Sequence, residues 1–277
     1  SPHYQEKIEL AFFRHYLKGD TNYTPTEATM FETGTDQWRR FATWPPKDTQ
    51  PKTLYFHAGG KLDFNPPADG ADAFDEYVSD PAKPVPFTTE ITLDYPRGYP
   101  THDQRFAAAR PDVLVYVTEP LEDDLTFAGP LTAALSVSTT GTDSDFVVKL
   151  IDVYDQDFPN PDPNPAHVVM AGYQQLVRGD VMRMRFRDGF EKASPVEPGK
   201  VTKLEFTMPD ILHTFRRGHR VMVQVQSTWF PLVERNPQTY VDNIVYAKPE
   251  DYRKATERVY RAGNAASALK VLVLPAR

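Results

Sequence analysis

Apolar residues along this chain recur mostly at spacing two, the period of a strand with one buried face. In 131–140, Leu131, Ala133, Leu135 and Val137 face one way, with Thr132, Ser136 and Ser138 mostly on the other side. Leu204, Phe206 and Met208 repeat the pattern, as do Val221, Val223 and Val225, and Leu269 to Leu274 predicts a closing strand. Thr53–His57 and Asp112–Thr118 predict earlier strands, the first stopped by the turn signal Gly59-Gly60. Asp145–Tyr154 is rich in β-branched and aromatic residues, as expected of a strand covered on both faces. In 181–187, Met182, Met184 and Phe186 alternate with Arg183, Arg185 and Arg187, which predicts a half-buried strand with arginines on its outer face.

Spacing four appears at the start. Tyr4, Ile8 and Phe12, widened by Ala11 and Phe13, predict a helix over 4–18 that Gly19 can end. Ala28–Phe31 predicts a short strand, and Trp38, Phe41, Trp44 and Pro45-Pro46 read as a connector pinned by aromatic anchors. The stretch 64–87 is polar, with prolines at 66, 67, 81, 84 and 86, and reads as a long loop. Ile211–Phe215 reads as a short helical turn, and 251–261 as a second helix or an irregular excursion.

Strands separated by turn-rich loops rather than helices predict an antiparallel sandwich. The expected fold is mostly β: a jelly-roll, galactose-binding-domain-like β-sandwich over 51–277, preceded by a helical and strand segment and connector over 1–50. High proline, 26 against 14 glycines, suits loops and strand ends and argues against a helical bundle.

Composition narrows the chemistry. A net charge of −7 does not favour nucleic acid, and no apolar run is long enough to span a bilayer. The opening SPHYQEKIEL is amphipathic and charged and has no signal-peptide pattern; it reads as the middle of a helix, which suggests a portion of a longer protein. Without cysteine there is no thiolate nucleophile, thiolate metal site or disulfide.

A search for a serine–histidine–acid site finds no GxSxG elbow to expose a nucleophile. Ser136 and Ser138 lie in a strand, Ser144 in an acidic turn, and His219 at a strand start reads as structural. Asp152, Asp155, Asp157 and Asp162 flank a proline-rich loop; calcium is conceivable chemistry there, but the spacing is not that of an EF-hand and a surface hairpin loop is favoured. Glu122, Asp123 and Asp124 read as a solvated turn. No catalytic residue, metal ligand or cofactor is assigned. Trp229, Phe230, Arg235 and Asn236, in the loop of GHRVMVQVQSTWFPLVERNPQT (218–239), read equally as pocket or domain-interface residues and as a loop covering the sandwich end, with Asn236 bonding local backbone.

GPLTAALSVSTTGTDSDFVVKLIDVY (129–154) and the 218–239 stretch resemble the C-terminal domain of X-Pro dipeptidyl-peptidases and cocaine-esterase-like (CocE/NonD) hydrolases. MFETGTDQWRRFATWPP (30–46), YFHAGGKLDFNPP (55–67), FDEYVSDPAKPVPF (74–87), RPDVLVYVTEPLEDDLTFAGP (110–130) and NPQTYVDNIVYAKPEDYRKATERVYR (236–261) resemble, within that group, the α-amino-acid ester hydrolases.

The resemblance implies a parent serine hydrolase acting on α-amino esters and amides, with acyl transfer to β-lactam amines, and built from an α/β-hydrolase domain, a helical cap and a C-terminal jelly roll. FFRHYLKG (12–19) resembles the last hydrolase-domain helix. The family's triad and carboxylate cluster would lie upstream, so none is carried onto this chain, His3 and His15 included. The implied partners are the catalytic domain of the same protein and further copies of the parent, which would be periplasmic or secreted. The alternative from the sandwich alone is a carbohydrate-binding or adhesion module, for which Trp229, Trp38 and Trp44 would need to be exposed.

Overall fold

The computed structural model describes residues 1–68, 70, 73–92, 98–261 and 266–275. The chain opens as a π-helix, Tyr4–Glu9, that runs into α1 (Leu10–Lys18). Gly19 ends it in the left-handed conformation, its N–H bonded back to the carbonyls of Arg14 and His15. No side chain of this helix is buried; Phe12, Phe13, Tyr16 and Leu17 are all exposed. His3 stacks on Trp38 at 5.0 Å.

A hairpin of β1 (Ala28–Glu32) and β2 (Gln37–Phe41) follows. The expected connector at 38–46 is therefore a strand in its first part: Trp38 packs on Phe31 across the hairpin, and Phe41 packs on Trp44. The hairpin tip lies against a strand of the sandwich. Gly34, at φ 87°, is required there, because a Cβ would stand 2.0 Å from the carbonyl oxygen of Thr214.

The remaining strands form one hydrogen-bonded system: β3 (Gln50–His57), β4 (Lys61–Asp63), β5 (Phe74–Ser79), β6 (Leu114–Val117), β7 (Leu125–Thr139), β8 (Asp145–Val153), β9 (Gln174–Arg183), β10 (Thr202–Phe215), β11 (Arg220–Gln226), β12 (Ala255–Tyr260) and β13 (Ala268–Leu274). β7 is the spine. β10 pairs along one edge of it, and β13 and β12 share the other. A second run, β6-β11-β8-β9, connects through β4 by the single parallel pair Lys61–Val117.

The two runs fold over one another as a β-sandwich. Phe127, Leu131, Leu135, Leu204, Phe206 and Leu269 come from one layer. Phe146, Val148, Leu150, Val221, Val223 and Val225 come from the other, and all belong to one buried cluster. Phe56 and Tyr116 stack at 4.2 Å where the layers join. Every residue of β8 is buried, as its continuous apolar pattern predicts, because a second cluster (Val147, Ile151, Met222, Trp229, Phe87) covers its outer face.

Several segments differ from their sequence reading. The expected loop at 64–87 contains β5, since its prolines flank the six residues Phe74–Ser79 and none interrupts them; positions 69, 71 and 72 of that stretch lie outside the described residues. Ile211–Phe215 is no helical turn but the continuation of β10 past an irregularity between Met208 and Ile211, where Pro209 has no N–H to offer the ladder. The segment 251–261 holds β12, with Ala255, Glu257 and Val259 inward. The arginine row is not an outer face: β9 ends at Arg183, the chain turns through Met184–Phe186, and Arg185 is buried.

Candidate functional site

The loop leaving β11 carries all four residues singled out from the sequence, and the structure sends them in different directions. Trp229 turns inward. Its ring lies over Gly179, where a Cβ would stand 2.7 Å from the indole, and only 5% of the residue is exposed. Asn236 is also interior. Its Nδ2 donates to Asp143 Oδ2 (3.0 Å) and Asp145 Oδ1 (2.7 Å), while its Oδ1 accepts from the Gln238 N–H (2.8 Å). The expected local backbone bond is thus one part of a larger role. Phe230 pairs its backbone with Val85 and Phe87 and leaves its ring at the surface. Arg235 is half-buried, with its guanidinium between the rings of Phe230 and Tyr252.

Asn236 sits in a charge cluster that pins the loop to the sandwich. Arg185 Nε donates to Asp143 Oδ2 (2.7 Å), and Arg183 Nε reaches both oxygens of Asp145 (3.1 Å). These partners turn Arg183 and Arg185 inward. Burial pushes Asp145 up to about 7, against the pull of Arg183 and Asn236. Next to it Glu257, fully buried, accepts at Oε1 from Ser144 (2.9 Å) and Thr139 (3.0 Å). Burial, with Asp145 and Asp143 nearby, pushes Glu257 up to about 8.

On the outer face of β8, Lys149 is wholly buried, with no carboxylate partner among the described residues. Its Nζ donates to Gln104 Oε1 (3.2 Å) and lies 5.2 Å from the Trp229 ring, opposite Gln224 on β11. Burial pushes its ammonium down to about 7. Lys149 escaped notice in the sequence; the signal was a lone lysine inside the apolar run DFVVKLIDV.

The histidines that could suggest a triad are structural. Asp152 is hydrogen-bonded to both His219 Nδ1 (2.9 Å) and His213 Nε2 (3.3 Å). Burial raises its pKa, but these two bonds win and hold the carboxyl below its usual range. Thr33 Oγ1 meets His213 Nδ1 at 2.8 Å and so ties the β1–β2 hairpin to the network. Thr33→Val is expected to lower stability by about 1 kcal/mol in urea unfolding, the worth of one such bond. Among the described residues no serine hydroxyl is hydrogen-bonded to a histidine, and no three acidic or histidine side chains converge to hold a metal. Asp152 is committed to the histidines, and Asp155 accepts from the N–H of Asp157 within its own loop.

Trp229 is buried, while Trp38 and Trp44 are half-buried and packed on neighbouring rings. What the arrangement does chemically is hold a shape. Around Asn236 the charged groups Asp143, Asp145, Arg183 and Arg185 bond to one another, and Asn236 ties the loop to them.

Comparison with known proteins agrees. The X-Pro dipeptidyl-peptidase C-terminal non-catalytic domain matches residues 22–270. Cocaine esterase from Rhodococcus sp. (strain MB1 Bresler) is 31% identical over 263 residues, covering 92% of this chain and 43% of that protein. The crystal structure of an aminopeptidase from a marine sediment archaeon (Thaumarchaeota archaeon) superposes with a TM-score of 0.91 at 42% identity, over 99% of this chain and 45% of that one. A selenomethionine-labelled α-amino acid ester hydrolase gives a TM-score of 0.89 at 42% identity, over 98% of this chain and 45% of that one. The chain therefore spans less than half the length of the relatives it matches. It belongs to the X-Pro dipeptidyl-peptidase C-terminal non-catalytic domain family, the C-terminal part of cocaine-esterase-like (CocE/NonD) hydrolases.

Proposed function

We propose that this chain serves as the non-catalytic partner of a serine hydrolase that cleaves or transfers α-amino acyl groups. In this reading it is a jelly roll that packs on a catalytic α/β-hydrolase domain of the same protein, closes one side of its pocket and shares in oligomer contacts. The observation that carries the reading is the match to α-amino acid ester hydrolase, which covers 98% of this chain and 45% of that one. The exposed stripe of α1 supports it. Phe13 and Leu17 are 50% and 75% exposed and no residue of this helix is buried, as expected of a helix whose apolar face belongs against another domain. In the 229–237 loop Phe230, Pro231 and Glu234 are exposed and Arg235 is half-buried, so this side of the loop is open to a neighbouring domain.

The purified chain alone is expected not to hydrolyse phenylglycine methyl ester. Turnover that a serine-directed reagent blocks would sink the reading. Coexpressed with the catalytic half of such a hydrolase, the chain is expected to co-purify with it and restore turnover, and Phe13→Glu with Leu17→Glu to abolish both. Activity that survives the double substitution would remove α1 from the contact.

A further inference from the structure

Arg235 is a cation that the fold holds in place and that has no counter-ion among the described residues. Its guanidinium carbon lies 5.4 Å from the Phe230 ring and 5.0 Å from the Tyr252 ring, so two aromatic faces fix its plane. One hydrogen bond, from Nη1 to the Pro81 carbonyl at 2.7 Å, fixes its rotation. The remaining N–H groups have no acceptor among the described residues, and no described carboxylate lies within ion-pair distance. The adjacent Glu234 cannot serve, because it is turned to Arg183 at 3.1 Å. One residue on, Asn236 anchors the backbone to Asp143 and Asp145, so Arg235 cannot swing inward to find them.

This guanidinium lines an open cleft of about 580 Å³, together with Pro81, Ala82, Ala247, Pro249 and Tyr252. The other charged groups of the cleft are Lys254 and Asp80, which neutralise each other at 3.0 Å. The cleft is therefore net positive by one charge, has Tyr252, the prolines and the alanines as its apolar wall, and is sized for a small molecule. A planar guanidinium held rigid before binding gives bidentate recognition of a carboxylate without the loss of side-chain freedom that ordinarily opposes it.

From this arrangement we infer that the Arg235 cleft binds a small carboxylic acid with an apolar body. The carboxylate seats on the free edge of the guanidinium, and the body lies against Tyr252 and the prolines. The site needs only residues of this chain.

The test is titration of the 277-residue chain with phenylacetate, followed by amide NMR shifts. Saturable shifts are expected at 80–82, 235 and 247–254, with affinity falling as salt rises. Arg235→Gln is expected to weaken binding about tenfold, the worth of a charge-assisted pair, and Arg235→Lys to fall between the two. Neutral phenylacetamide, of the same shape, is expected to shift none of these residues. The inference is overturned if phenylacetamide binds as well as phenylacetate, if Arg235→Gln leaves the affinity unchanged, or if phenylacetate shifts nothing in the cleft up to its solubility limit. Should Arg235→Gln fail to fold, the comparison of acid with amide on the native chain decides alone.

Discussion

Lys149→Met is expected to stabilise the protein by about 3 kcal/mol at neutral pH, although it removes a hydrogen bond and a cation–π contact. The reason is the position of Lys149: wholly buried on the outer face of β8, with Gln104 and the Trp229 ring as its partners and no carboxylate among the described residues. Burial pushes its pKa from 10.5 to about 7. At roughly 1.4 kcal/mol per unit, that depression corresponds to about 5 kcal/mol of destabilisation as an upper bound. Losing the partner of Gln104 Oε1 takes back part of the gain, about 1–3 kcal/mol. Methionine is long and flexible enough to fill the volume against Gly179 and Trp229.

The pH dependence identifies the cause. Between about 7 and 10.5 the unfolded lysine holds more proton than the folded one, so the native protein gains stability as pH rises through that window. Below about 7 the penalty is complete and constant. The advantage of Lys149→Met should therefore be full at pH 6–7 and fade toward pH 10.5. Urea unfolding of both proteins at pH 6, 8 and 10 measures it. A destabilised variant, or a difference that does not change with pH, would show that Lys149 is not buried as a strained cation.

That lysine also marks the limit of what the residue pattern shows. The strands with clean alternation (β7, β11 and the first half of β10) were legible because apolar and polar residues alternate along them, and β13 was legible as an apolar closing run. β8 was legible as doubly covered because β-branched and aromatic residues fall on both of its faces, even though Asp145, Lys149 and Asp152 interrupt them. Two strands were missed where one residue interrupts the apolar period. Glu257 occupies an inward slot of β12 and breaks its period, and Pro209 hides the continuity of β10.

Arg183 and Arg185 were misplaced for the same reason. A charge in an alternating row reads as solvent-facing unless its partner is known, and Asp145 and Asp143 lie about forty residues earlier in the chain. The 229–237 loop was legible as a place of consequence, but the direction of each side chain was not. Gly179 decides that Trp229 points in, and the aspartates decide Asn236. Both are long-range facts that no local window contains.

Glu257→Gln should be nearly silent at pH 5 and stabilise by about 3–4 kcal/mol at pH 9. Glu257 is buried beside Asp145 and Asp143, and its pKa moves from 4.5 to about 8. The folded state therefore holds this proton more tightly than the unfolded chain. The stability it contributes is whole below about 4.5 and is lost as pH rises through about 8. Below that point the group is a neutral acid whose Oε1 accepts from Ser144 and Thr139, and glutamine keeps those two bonds with the same shape. Above it, the native side chain is a buried anion near two more carboxylates, whereas glutamine carries no charge. Part of the gain comes through Asp145, pushed up to about 7 in the same cluster, which ionises more easily once Glu257 cannot. Denaturant unfolding of the two proteins at pH 5, 7 and 9 should show their stabilities diverging steadily. Parallel curves would mean that Glu257 is ionised throughout, stabilised by the arginines of the cluster and not held as the neutral acid.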